Sequence, residues 1–518
     1  MSRYVVDEII VSPGPHHALA HDLLRRAAES LDVVPVETRR STDLARALGD
    51  PDYARTPRSF VLEDEFGERV DDPVTLAQRV VRRAKRMARR ERTGRRQPDL
   101  AVMVNANQWL SAHDALSGMV PATGGLVPAT GGLVPATGGL VPATGGLVPS
   151  TGGLNPPQSA TSAGIASYGL AGFGARQPVD WVGPEPARRT DLRRRPVVVT
   201  LDTGVGEHPW LTESDGVTRG LELGGVEVGF TDPETDPEAH GVRMGVLDGA
   251  LDSHSGHGTF IAGLIRQLCP DADLRAVRVM RSDGVADEYE LVRCLLVLAE
   301  LVRRHREDPR RGLQVDVIVL SLGYRHTSAD DEAYDELMLP VLRDLGSLGV
   351  AVVAAAGNNG WHDEVYPAAF APHRGGRVTR VERGVVPVTS VGSLNPNGTV
   401  ALYSNFGEWV RCWAEGASLV STLPVRLQGG MSPAVQVTAE DGRVHSTLDP
   451  DDFSAGFGVW SGTSFAAPVV AGRLAQALLD ADGFDDGLTP DQVTDVVRGV
   501  WKAHQHKGSA APRGGSTR

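Results

Sequence analysis

Three short stretches carry residue types that together could open an acyl bond. They are PVVVTLDTGV with Asp202, SGHGTF with His257, and SGTSFAAP with Ser464. A serine hydroxyl is a weak nucleophile until a base takes its proton, and a neutral imidazole does this near neutral pH. The imidazole needs a buried carboxylate to hold one tautomer and to stabilise the cation it becomes. The developing oxyanion needs donors already in place, each worth on the order of 3 kcal/mol. VAVVAAAGNNG offers one such donor, the side-chain amide of Asn358.

These side chains work only if the backbone brings them together. Residues 196–201 form a continuous apolar, β-branched run that predicts a buried parallel strand. Asp202 then falls at its C-terminal end, where open α/β sheets place their sites. His257 enters a helix of small and apolar residues, with Gly256 and Gly258 permitting close backbone approach. Ser464 opens an apolar helix in which Ala466, Ala467, Ala471 and Gly472 allow tight packing. The positive end of that helix dipole lies beside Ser464. Two further strands are predicted, one over 315–320 leading into Ser321 and one over 350–355 leading into Asn358.

At these residues the chain resembles the subtilisin-like serine proteases, the subtilase family (peptidase family S8). The matching motifs are Asp202-Thr203-Gly204, His257-Gly258-Thr259 and Gly462-Thr463-Ser464-Phe465-Ala466-Ala467-Pro468, in the order Asp, His, Ser. Ser321-Leu322-Gly323 and Ala354-Ala355-Ala356-Gly357-Asn358 match as well, and the likeness covers residues 195–502. The resemblance implies an α/β fold with a mostly parallel subtilisin-like sheet and helices on both faces. It implies a serine endopeptidase with Asp202, His257 and Ser464 as the triad. Asn358, with the Ser464 N–H, would form the oxyanion hole. Ser321, Leu322 and Gly323 would pair with an extended protein or peptide substrate, and Ala355, Ala356 and Gly357 would line the other wall of the pocket for the residue before the cleaved bond. No cofactor is needed for that chemistry, although several subtilases bind structural calcium. The alternative is a catalytically silent binding scaffold on the same fold.

Neighbouring residues offer competing assignments. His254 lacks the Gly-His-Gly-Thr setting, Asn359 is one residue beyond the expected donor, and Ser461 precedes the turn rather than opening the helix. Tyr324 follows Ser-Leu-Gly where the family has a small residue. Asp232, Glu234, Asp236 and Glu238 lie on an insertion-like stretch that reads as a solvated acidic loop, with calcium as the other reading. Asp363 and Glu364 read as surface acids; the other reading places them near the expected pocket floor, where carboxylates would favour a basic substrate side chain. A hairpin is expected around Asp441-Gly442, and a capping box at Thr489-Pro490-Asp491-Gln492 should start a closing helix.

The chain is expected to divide into residues 1–116, a linker at 117–180, a peptidase-like domain at 190–502 and a tail at 503–518. In the first segment, strand and helix patterns alternate as β-α-β-β-α-β, the order of a ferredoxin-like split unit. It reads either as a propeptide or as a retained sensor domain for an activating partner. His17 and His21 lie one helical turn apart without a third ligand in view, and the arginines from Arg79 to Arg92 read as a solvated helix face. Within the linker, residues 120–154 repeat a VPATGGL heptad five times. Pro-and-Gly-rich repeats of this kind build no core, and 35 residues of flexible coil would span about 30–35 Å.

A net charge of -13 argues against nucleic-acid binding, and three cysteines are too few for a disulfide framework. No apolar run approaches bilayer-spanning length and the first residues lack a signal-peptide pattern, so a cytoplasmic protein without membrane partners is expected.

Overall fold

The computed structural model describes residues 4–64, 73–91, 103–112, 168, 175–244, 247, 249–326 and 335–506. The heptads and nearly all of the expected linker, Arg92 and the end of the tail lie outside the described residues.

The first segment runs β1 (Tyr4–Val11), α1 (His17–Glu29), β2 (Val34–Glu37), α2 (Arg39–Ala47), β3 (Arg58–Glu63), α3 (Pro73–Glu91) and β4 (Val104–Ala112). Its antiparallel strands lie in the order β4-β1-β3-β2, the order of a ferredoxin-like unit. Two elements depart from expectation. The helix α2 is inserted between β2 and β3, and the last strand, expected at 100–104, begins at Val104 and runs to Ala112. The apolar stripes of α1 (Ala20, Leu23, Leu24, Ala27) and α3 (Ala77, Val80, Val81, Ala84) cover one face of this sheet, with Ile9, Val11, Phe60 and Leu62 beneath them. His17 and His21 are placed apart: His17 Nδ1 lies 3.1 Å from the Gly14 carbonyl and His21 stacks on Phe60.

The second part holds β5 (Gln177–Pro178), β6 (Val197–Asp202), β7 (Val217–Arg219), β8 (Leu221–Leu223) and β9 (Val226–Val228), then α4 (His257–Leu268) and β10 (Asp273–Arg278). There follow β11 (Val285–Asp287), α5 (Glu288–Glu307), β12 (Val317–Leu320), β13 (Leu322–Gly323), α6 (Asp335–Ser347) and β14 (Ala351–Ala355). The chain closes with β15 (Thr389–Leu394), β16 (Cys412–Glu415), β17 (Leu419–Thr422), β18 (Gln436–Thr438), β19 (Val444–Ser446), β20 (Phe457–Trp460), α7 (Thr463–Leu479) and α8 (Pro490–Ala503). The expected hairpin is β18–β19, with Gly442 at φ +81 in its turn. The expected capping box opens α8 at Thr489.

Seven parallel strands form the central sheet, in the order β16-β15-β14-β12-β6-β10-β7. Because successive side chains of a strand point to opposite faces, each strand feeds two cores. Val199, Leu201, Ile318, Leu320, Val352 and Ala354 face α5 and α6. Val198, Val317, Val319, Ala351, Val353 and Ala355 face α4, α7 and α8. The unbroken apolar runs of the sequence are thus those of a sheet covered on both sides. Among the described residues, no helix is long and apolar enough to cross a membrane.

The two parts meet along β4. Its first half pairs with β1, and its last residues lie between two strands of the second part. Asp287, Ala286 and Val285 pair antiparallel with Trp109, Leu110 and Ser111, and Gly323 and Leu322 pair with Ser111 and Ala112. Ile10, Leu44 and Leu48 of the first segment also join the core that contains α5.

Candidate active site

Three element ends converge on one point. Asp202 is the last residue of β6, His257 the first of α4, and Ser464 the second of α7, all buried. The helices α4 and α7 pack side by side, and the glycine at 258 makes their fit to β6 possible. A Cβ there would stand 2.0 Å from the Gly204 carbonyl oxygen and 3.0 Å from Thr203 Oγ1. His257 Nδ1 lies 2.7 Å from Asp202 Oδ1. A carboxylate at that distance accepts the Nδ1 hydrogen, which leaves Nε2 with the lone pair a base requires. The same Oδ1 receives the Thr203 backbone N–H at 2.8 Å. The His257 ring is held by Phe465, the residue after Ser464, at 5.1 Å and by Trp460 at 5.6 Å.

Ser464 is fixed by reciprocal bonds with Ser321: the Ser321 hydroxyl donates to the Ser464 carbonyl at 2.8 Å, and Ser464 Oγ donates to the Ser321 carbonyl at 3.3 Å. Asn358 shows its orientation through its acceptor side. Its Oδ1 accepts from the Thr463 N–H and the Thr463 hydroxyl, both at 2.7 Å. Thr463 Oγ1 in turn accepts the Gly357 N–H at 3.0 Å. Two donors on one amide atom require that atom to be oxygen, so the amide nitrogen points the other way. Asn358 Nδ2 is buried with no hydrogen-bond partner among the described residues. An orphaned donor of this kind costs stability and is what an oxyanion site requires before substrate arrives.

The competing residues are engaged in other contacts. Asn359 is exposed and binds Asn405 through its backbone. Ser461 accepts the Ser418 N–H in the approach to α7. His254 is buried beside His257, with its Nδ1 2.8 Å from the Ser253 hydroxyl, and burial holds its pKa well below the usual histidine range. Leu322 and Gly323 form β13, whose free edge is taken by Ser111 and Ala112 of this same chain. Ala355 closes β14, Ala356 donates its N–H to Val391, and Gly357 takes φ +103.

Tyr324 is buried; it pairs with Tyr366 through the backbone and donates its hydroxyl to Asp335 at 3.0 Å. Asp363 faces outward in an ion pair with Arg325 at 3.0 Å, and Glu364 accepts the Tyr366 hydroxyl at 2.6 Å and lies 2.9 Å from His373 Nε2. Both carboxylates thus have partners within the chain.

The acidic stretch 232–238 is where sequence reasoning missed most. Asp232 caps a 3-10 turn, Asp236 accepts the Glu238 N–H, and Glu238 turns inward and is wholly buried. Its carboxyl meets the hydroxyls of Thr203 and Thr259, each at 2.5 Å, and the Gly258 N–H at 3.1 Å. The four carboxylates do not gather around one point, and among the described residues no group of three or more acids, histidines or cysteines is placed to hold a metal. The reading of a solvated loop is therefore wrong for Glu238. Its neighbours Thr203 and Thr259, each following a motif residue, were the available hint.

A family model described as the subtilase family matches residues 193–508. The chain is 24% identical over 320 residues to the serine protease AprX of Bacillus subtilis (strain 168), covering 58% of this chain and 60% of that one. It is 26% identical over 293 residues to the major intracellular serine protease of the same organism, covering 54% and 66%. A subtilisin from Bacillus sp. (strain TA39) is 26% identical over 284 residues, covering 54% and 55%. The chain thus spans between half and two thirds of the length of these relatives. The solved structure of a cold adapted subtilisin-like serine proteinase covers 61% of this chain and 88% of its own, at 19% identity and a TM-score of 0.36. With the family model spanning more than half of the sequence, the chain belongs to the subtilase family.

Proposed function

We propose that this protein is a serine endopeptidase in which Asp202, His257 and Ser464 form the triad. His257 Nε2 takes the Ser464 proton as Oγ attacks a peptide carbonyl, and Asp202 stabilises the imidazolium formed. The Asn358 amide and the Ser464 N–H receive the oxyanion. His257 then hands the proton to the leaving amine, and water repeats the sequence on the acyl-enzyme. The observation that carries this reading is the Asn358 amide, turned by Thr463 so that its buried N–H donors have no partner among the described residues. A fold kept only as a scaffold has no use for that arrangement.

The first segment supports regulation. Its strand β4 occupies the edges of β11 and β13 that an extended substrate would need. The protein is read as restrained until that strand leaves, with protein or peptide as substrate and an activating partner as one possible trigger. Location inside the cell is supported by relatives named as intracellular serine proteases.

Fluorophosphonate labelling tests the proposal. The wild type should label and Ser464→Ala should not. A wild type that stays unlabelled after its first segment has been removed by limited proteolysis would favour the scaffold reading. Intact masses of the two proteins then separate a propeptide from a retained domain. Loss of the first segment in the wild type alone indicates self-removal.

A further inference from the structure

Glu238 is buried behind the triad, one hydroxyl away from Asp202, and the mechanism above does not use it. Counting hydrogens around Thr203 shows why it matters. The Thr203 hydroxyl has one hydrogen and three neighbours: the Gly258 N–H at 2.7 Å, Asp202 Oδ1 at 3.1 Å and Glu238 Oε1 at 2.5 Å. Gly258 can only donate, so the single Thr203 hydrogen must go to one carboxylate or the other. Thr259 has no such choice: it accepts the Gly206 N–H at 2.8 Å and donates to Glu238 Oε2.

We propose that Glu238 is a positioning residue whose protonation state decides whether the Thr203 hydroxyl donates to the triad carboxylate Asp202. This rests on the peptidase reading given above. With a proton on Oε1, Glu238 donates to Thr203 Oγ1, and the Thr203 hydrogen passes to Asp202 Oδ1. That oxygen then receives three donors, namely His257 Nδ1 and both the N–H and O–H of Thr203. When the Glu238 proton is lost to hydroxide, Oε1 captures the Thr203 hydrogen and Asp202 loses one of the three bonds that orient it.

The surroundings put this exchange in an accessible pH range. Burial pushes the Glu238 carboxyl up to about 8, against the lowering effect of the two threonine bonds and with help from the charges of Asp236 and Asp202. The other charged groups packed here are His257 at the start of α4 and Arg278 on β10. The Arg278 side chain passes the same point beside Gly204, and its head is bound to the carbonyls of Phe230 and Asp232.

The test is the rate of fluorophosphonate labelling of the full chain from about pH 6 to about pH 10. The wild-type rate should fall about two- to tenfold, the worth of one hydrogen bond, as pH rises through about 8. Glu238→Gln keeps a donor toward Thr203 and cannot ionise, so its profile should run level through that range. A Gln variant that reproduces the wild-type fall would overturn the proposal, as would a wild type with no fall. Isotope-edited infrared spectra of wild type against Glu238→Gln give a readout that does not need activity. A carboxylic-acid band should be present at neutral pH, lost in alkali and absent from the variant, and its absence from the wild type also overturns the proposal. A wild type that labels at no pH, even after its first segment has been removed by limited proteolysis, overturns the peptidase reading, while the infrared band still decides the state of Glu238.

Discussion

The carboxylate pairings of His257 and Arg40 are built in opposite ways. His257 faces Asp202 inside the core of the central sheet, and every other group on Asp202 Oδ1 comes from the adjacent Thr203. Arg40 reaches out of α2 in the first segment to Asp287 at 3.0 Å and Glu290 at 3.4 Å on α5 and its N-cap, with Glu8 of its own sheet closing the cage. Its guanidinium lies over the Tyr289 ring at 4.9 Å. Burial alone would weaken its hold on its proton, but Asp287, Glu8 and Glu290 outweigh that and raise its pKa. The first pair is assembled when one domain folds. In the second, the bonds of Arg40 to Asp287 and Glu290 cross between the two parts of the chain, whereas its bond to Glu8 lies within the first.

The comparison breaks most visibly at the proposed triad. Ser464→Ala should lower kcat by on the order of 10⁶, a magnitude established for the related subtilisin rather than derived from this structure. Folding and the docking of β4 should be unchanged by hydrogen exchange. Asn358→Ala should lower kcat by about 10²–10³ with little change in KM, again a scale known from subtilisin. A large KM effect would mean that the amide serves the ground state instead.

The docked site responds differently. Arg40→Ala leaves three carboxylates facing one another, and breaking such a partly buried cluster costs about 3 kcal/mol. It should therefore speed labelling of Ser464 and proteolysis of the first segment, whereas the activity of the domain freed from that segment should match wild type. Equal labelling rates in Arg40→Ala and wild type would show that Arg40 does not govern docking.

The smallest effect is on stability. His208 is buried against Trp210 and Phe457, its Nδ1 accepts the Trp210 N–H at 3.1 Å, and burial lowers its pKa to about 4. The unfolded chain therefore binds this proton first. The stability contributed by neutral His208 is present above the ordinary histidine pKa of 6.5 and lost as pH falls toward about 4. In the Ser464→Ala background, which cannot digest itself, the denaturation free energy should drop by about 1 kcal/mol per pH unit across that window. His208→Asn should reduce the slope by its share, and the buried His254, whose pKa burial also lowers, should keep the remainder.

Much of the site was legible because its residues lie at element ends. An apolar β-branched run that stops at an acid, or a small-residue helix that starts at a serine, marks both the element and the position. Asn358 was separable from Asn359 only by family likeness; the reason, the two Thr463 bonds, is a contact across 105 residues. The helix α2 escaped notice because its sequence, RRSTDLARA, is largely polar, and its burial rests on Ser41, Leu44 and Ala45. The run of β4 to Ala112 was not visible locally because its last residues pair with β11 and β13, far along the chain. Glu238 was misread for a related reason: an acid in a Pro- and Asp-rich stretch looks solvated until the two threonines that bind it are seen to lie against it.

The sequence by itself determined the sheet type, the two-sided core, the order of the three chemical motifs and the cap of the last helix. These follow from local pattern, since periodicity, β-branching and capping act over a few residues. Tertiary structure decided which amide atom of Asn358 faces the site, which two carboxylates lie within reach of the Thr203 hydroxyl, and which strand pairs with β11 and β13. Each of these depends on a donor and an acceptor from distant segments meeting out of water, where an unmet hydrogen bond is costly.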